Sequence, residues 1–113
     1  MKLVKLDEIE PDHVNHAANI ARRILLSEHD LPGSVRLSHA LFKAGESIEP
    51  HKHDDLCEVF YLLSGQGVLR VEGLDMMISP GSTFMIAPGE VHQLTNSGDS
   101  DMTMIYFALL KDD

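Results

Sequence analysis

Four side chains of this protein have the types and the spacing to share one metal ion. His51 and His53 are separated by a single residue, so on an extended backbone both imidazoles project from the same face. Glu58 follows at the head of the apolar run Val59-Phe60-Tyr61-Leu62, where a carboxylate is costly to bury unless it meets a cation or strong donors. His92 closes a turn, Ala87-Pro88-Gly89-Glu90-Val91. Three neutral imidazoles and one carboxylate suit a divalent first-row metal of borderline softness. A His-x-His pair taken alone fits a solvated strand edge as well, so the weight rests on the four residues together.

These side chains must be positioned by short elements. Glycine and proline interrupt the chain repeatedly, at Pro32-Gly33, Gly45, Pro50, Gly65, Gly67, Gly73, Pro80-Gly81 and Pro88-Gly89. Between them lie runs rich in branched, aromatic and apolar residues, at 20–27, 34–43, 56–64, 67–72, 82–86, 92–96 and 102–110. Their lengths are strand lengths, and the pattern is that of an all-β domain. Ser64-Gly65-Gln66-Gly67 reads as a tight hairpin loop between two of these strands. Residues 1–19 read as an N-terminal arm, with either one helical turn after Pro11 or an irregular path, ahead of a single domain over 20–113. Runs 59–63 and 105–110 are apolar at both parities, so both faces of those strands need cover. In so small a domain the available cover is a second subunit, and a homodimer packed sheet against sheet is expected.

Length and charge narrow the function. A chain of 113 residues has room for one compact domain. Eighteen acidic residues against nine Lys and Arg give a formal charge of −9, which repels nucleic acid and anionic membrane surfaces. Cys57 is the single cysteine, so an internal disulfide and a Cys-x-x-Cys redox pair are both impossible. The apolar run 104–110 is far short of the roughly 18 residues that span a bilayer. A cytoplasmic protein with no membrane partner is expected.

The motif spacings carry a family resemblance. Gly45, five residues, His51, one residue, His53, four residues, Glu58, six residues and Gly65 resembles the first motif of the cupin superfamily at every spacing. Gly81, Gly89, two residues, His92, three residues and Asn96 is similar to the second. One departure is visible: the family's proline two positions before the second glycine is Ala87 here, with Pro88 beside it. The resemblance covers residues 45–96, the flanks match only as strands, and the short stretch between motifs is that of a small single-domain cupin. It implies a double-stranded β-helix, a jelly-roll-like barrel, with His51, His53, Glu58 and His92 as ligands of one divalent metal: Fe, Mn, Ni or Zn. Four protein ligands on an octahedral ion would leave two adjacent positions for a small molecule or dioxygen.

Strand parity puts Phe60 and Leu94 inward beside the ligands, as candidate pocket walls, and turns Cys57 away from them. His39 shares a face with Val35, Leu37 and Leu41, as a satisfied interior histidine or a pocket acid or base. His13 and His16 read as surface residues, the methionines as core filling, and Asp99, Asp101, Asp112 and Asp113 as a solvated rim. Between the motifs Arg70 is the one cation, and Lys52 points away from its flanking histidines, which disfavours a sugar-phosphate substrate. Three functions fit: a metal-dependent dioxygenase acting on a small molecule, a metal-dependent isomerase or lyase of the sugar-isomerase kind, and a non-catalytic small-ligand-binding module. An apolar pocket that excludes water favours the first.

Overall fold

The computed structural model describes residues 1–14, 17–28 and 30–111; His16, Asp112 and Asp113, which figured in the surface readings above, lie outside the described residues. After a short 3-10 turn at Leu6–Glu8 come nine strands: β1 Asp12–Val14, β2 Ala17–Leu26, β3 Ser34–Phe42, β4 Leu56–Ser64, β5 Gly67–Val71, β6 Leu74–Ile78, β7 Thr83–Ile86, β8 His92–Asn96 and β9 Met102–Leu110. They form a six-stranded sheet in the order β1-β2-β3-β9-β4-β7 and a three-stranded sheet in the order β6-β5-β8. No described helix is long and apolar enough to cross a membrane.

The two sheets bury their facing sides. Phe42, Leu62, Met102 and Met104 from the larger sheet and Leu69 and Leu94 from the smaller one are all almost fully buried in one cluster. Alternation along β4 and β8 does this directly: Glu58, Phe60 and Leu62 point inward, as do His92, Leu94 and Asn96. On the outward face of β4 Tyr61 and Leu63 are exposed, at 48% and 41%, and Cys57 and Val59 are half-buried. Met102 and Met104 fill core as expected, but Met76, Met77 and Met85 do not. Met76 and Met77 lie on β6 and Met85 on β7, each strand at a sheet edge with too few neighbours to cover such side chains.

The 64–67 loop is not a hairpin. β4 pairs with β7 and β9, whereas β5 pairs with β6 and β8, so this loop carries the chain from one sheet to the other. Gly65 adopts φ +87°, and a Cβ there would stand 2.6 Å from both the Asp101 carbonyl oxygen and the Met102 Cα. A glycine is needed for contact as well as for conformation. The tight hairpin is one turn later, where Glu72 and Gly73 join β5 to β6 with φ of 48° and 80°. Two positive φ values define the turn that matches strand twist. β6 escaped the sequence reading because Leu74-Asp75-Met76-Met77-Ile78 has a single β-branched residue, at its end, and no alternation.

Within the expected N-terminal arm, residues 12–14 and 17–19 are strand, and the helical turn lies before Pro11. β1 is held by register with β2, including the pair Asp12 and Arg22. On β3 a bulge changes the expected parity. Val35 pairs with Ala108 and Leu37 with the next residue, Phe107, so Arg36 is an extra residue, and its φ is +38°. Such a conformation costs about 1–3 kcal/mol in a residue with a Cβ.

Candidate metal centre

The first histidine motif is laid along β8 by backbone bonds. Gly45 N donates to Asn96 O at 3.1 Å, Ile48 N to Leu94 O at 3.1 Å, and His51 N to His92 O at 3.1 Å, with His92 N returning to His51 O at 2.9 Å. Gly45 and His51 are therefore matched to Asn96 and His92, which is why both motif spacings must hold together. Asn96 locks this register: its amide nitrogen donates to Phe42 O and Ser100 O, and its Oδ1 accepts from Gly98 N. His53 is tied to the second turn by Gly89 N, which donates to its carbonyl at 2.8 Å. Glu58 sits on β4 between Ile86 of β7 and Ala108 of β9.

These elements bring His51, His53, Glu58 and His92 together, with one donor atom of each within 4.8 Å of all the others. His51 Nδ1 donates to the Glu49 carbonyl at 2.9 Å, and His92 Nδ1 does the same to Glu90 at 3.0 Å. In both rings the proton is thereby held on Nδ1, leaving Nε2 as the basic atom. His92 Nε2 is 3.2 Å from Glu58 Oε1, and His53 Nε2 is 3.6 Å from the same oxygen. Burial works against the charged form of His92, but the Glu58 carboxylate and the Glu90 carbonyl outweigh it and hold its pKa above the ordinary value.

The group fits a metal ion on its own geometry. Glu58 Oε1 and His92 Nε2 are buried and make no well-formed hydrogen bond. Two such atoms side by side cost on the order of 1–3 kcal/mol each, and a divalent cation among the four donors would satisfy both. Three imidazoles and a carboxylate are ordinary ligands for Fe, Mn, Ni or Zn and do not discriminate among them.

The four residues open on a cavity of about 90 Å³, small beside the roughly 300–1,000 Å³ of pockets for drug-sized molecules. Phe60 and Leu94 line it, together with Ile48 and Tyr106. Phe60 is stacked between Phe84 at 4.8 Å and Tyr106 at 5.3 Å. Burial pushes the Tyr106 phenol up against the opposing pull of Arg22, so it keeps its proton at neutral pH.

Two cationic residues on this lining were missed by sequence reasoning: Arg22 of β2 and Arg36 of β3. Arg22 is 7% exposed and holds Asp12 through two parallel bonds of 2.8 and 2.9 Å. That pairing draws the Asp12 carboxyl below its usual range. Both arginines lie outside the two motifs, and the one signal that could have found Arg36 is that it has the parity of Ala40 and Phe42, which face the cavity from the same strand. Arg70 and Lys52, the cations weighed at first, are on the surface in ion pairs with Asp75 and Asp54. The expected apolar pocket thus carries two arginines in its lining. His39 is buried but absent from the cavity lining: Ala40 and Phe42 take the inner face, and His39 lies between Arg23 and Ile105 on the other side of the sheet. The pocket acid or base reading of His39 is thus overturned.

Fold and site together define a class, the small two-sheet β-barrels that gather histidines and a carboxylate at an internal cavity. Residues 38–108 match the family described as Cupin domain, and the chain belongs to that family. It is 27% identical to an oxalate-binding protein of Thermotoga maritima, over 96% of this chain and 93% of that one. Among solved structures, a predicted oxalate decarboxylase from Thermotoga maritima superposes with a TM-score of 0.90 at 25% identity, covering 97% of this chain and all of that one. The ectoine synthase of P. lautus superposes with a TM-score of 0.79 at 26% identity, covering 96% and 78%.

Proposed function

We propose that the chain is a metal-dependent, dioxygenase-like enzyme acting on a small molecule, with His51, His53, Glu58 and His92 as the ligands of one divalent ion. The observation that carries the reading is the pair of buried atoms Glu58 Oε1 and His92 Nε2, 3.2 Å apart without a well-formed hydrogen bond, at the edge of a largely apolar cavity. The ion, when bound, supplies Lewis acidity and, as Fe(II), the capacity to activate dioxygen. The protein's own residues do the rest. The Glu49 and Glu90 carbonyls hold two imidazoles in the tautomer that presents Nε2. Phe60 and Leu94 wall the ligand from water, which protects reactive oxygen species from side reactions. Tyr106, protonated, is a donor to a ligand oxygen.

A second reading, a module that holds a small ligand on the metal without turning it over, is favoured by the relative named as oxalate-binding. Isomerase or lyase chemistry would use the same ion as a Lewis acid alone. Elemental analysis of protein purified without added metal, followed by oxygen uptake of the anaerobically Fe(II)-loaded form with candidate substrates, separates them. Stoichiometric iron with ligand-triggered oxygen consumption supports the dioxygenase. Metal uptake without oxygen consumption moves the assignment to the other two, and failure to bind any divalent ion overturns all three.

We also propose a cytoplasmic homodimer. Cys57 is a free thiol, consistent with a reducing compartment. The outer face of the six-stranded sheet carries Tyr61, Leu63, Met85 and Leu109 exposed around half-buried Val59 and Phe107. Apolar patches this continuous on a small domain mark contact sites. The expected solution mass is about 25 kDa, twice the 12.5 kDa of the chain, and a monodisperse monomer would remove the dimer.

A further inference from the structure

Arg36 stands out in both backbone and cavity. As the extra residue of the β3 bulge it has no partner opposite it on β9, and its φ of +38° lies where glycine is at ease and arginine is not. Glycine would form this bulge without strain, so what arginine contributes is its side chain. That side chain lines the cavity. It also lies level with the metal group across the sheet, because neighbouring Val35 pairs with Ala108 and Ala108 pairs with Glu58. The Arg36 ion pair, Nη1 to Glu28 Oε1, is long at 3.5 Å, and the Glu28 side chain is 54% exposed. Such a contact competes weakly with a ligand. Deeper in the same cavity Arg22 adds a second guanidinium, two of whose N–H groups are committed to Asp12.

Two guanidinium groups on a cavity of about 90 Å³ select a small anion, and their planar forks match a carboxylate. We propose that Arg36 determines ligand class: it binds a carboxylate of a small organic acid whose other oxygen donors face His51, His53, Glu58 and His92. The inference rests on the metal-dependent reading above and adds the substrate class and the residue that selects it.

The test is calorimetry on the full chain, with and without Mn(II), using oxalate, malonate, inorganic phosphate and the neutral isostere oxamide as probes. Manganese content and melting temperature are measured for every protein first. Wild type binds a dicarboxylate and not oxamide. Arg36→Gly keeps its manganese, melts at the same or a higher temperature because the bulge relaxes, and loses roughly 10–100-fold in dicarboxylate affinity. Arg36→Lys recovers part of that loss, and Arg70→Gln, on the exposed surface, changes nothing. Dicarboxylate affinity unaltered in Arg36→Gly overturns the proposal, as does tighter binding of phosphate than of any carboxylate, or no acid binding by wild type in either form. Wild type that takes up no Mn(II) overturns the metal reading instead, and the same comparison on metal-free protein then decides the role of Arg36.

Discussion

His51 and His92, one from each motif, are a hydrogen-bonded antiparallel pair: each backbone N–H donates to the other's carbonyl, at 3.1 and 2.9 Å. Their ring centroids are 4.3 Å apart, and each Nδ1 is held by the carbonyl two residues earlier in its own loop. The backbone thus holds both imidazoles with Nε2 presented, and preorganised donors lose little freedom on binding.

Removing either imidazole should therefore empty the site without unfolding the barrel. His51→Ala and His92→Ala are expected to weaken divalent metal binding by roughly 100-fold or more, with an unchanged circular dichroism spectrum. Metal content equal to wild type in either variant would show that the ligand set is misassigned.

Glu58→Gln keeps the shape of the carboxylate and removes its charge. Metal affinity should drop comparably. In the metal-free protein the pKa of His92 should fall, since the carboxylate beside it is what offsets burial. An NMR titration of His92 reads this directly, and an unmoved titration would mean that Glu58 does not govern this histidine.

Stability should depend on pH through His39. Burial, with Arg23 adding to it, depresses the His39 pKa below the usual 6.5. The unfolded chain then binds a proton more readily than the folded one. The stability linked to His39 is complete above 6.5 and is lost as pH falls toward the lower folded value. In metal-free protein His92 works in the opposite sense, with its contribution complete below 6.5 and lost as pH rises through its raised folded value. Urea melts from about pH 5 to 7.5 should show a smaller acid-side loss for His39→Gln than for wild type. Parallel curves would place the pH dependence elsewhere.

Gly65 joins the two sheets in a space that holds no side chain. Gly65→Ala must distort the backbone at Asp101 and Met102 as well as take an unfavourable φ, and should cost more than about 1 kcal/mol. Gly73→Asn, in the exposed β5–β6 turn with nothing within 4 Å of its Cβ site, should change stability far less. Equal melting temperatures for the two variants would contradict this account of the crossover.

Leu94 is both core and cavity wall, at 1% exposure. Leu94→Ala is expected to lower stability by about 2–5 kcal/mol while enlarging the ligand space. A loss below about 1 kcal/mol would mean that the wall is not packed as described.

The all-β class, the seven longer or better-patterned strands, the gathering of His51, His53, Glu58 and His92 and the inward aim of Phe60 and Leu94 were all legible in the sequence. The turns and faces follow from local rules, glycine and proline spacing and a two-residue period, whereas the set of four ligands was legible through the resemblance of the two motifs to the cupin superfamily. Tertiary structure alone decided the rest. Which strands pair is a non-local matter, so a loop read as a hairpin at Gly65 proved to be a crossover between sheets. Edge position left Met76, Met77 and Met85 exposed although their residue type suits a core. A bulge, invisible in a strand's composition, reset the parity of β3. It put Val35 on the cavity while Leu37, His39 and Leu41 face the other side, because one extra residue reverses the side chains beyond it.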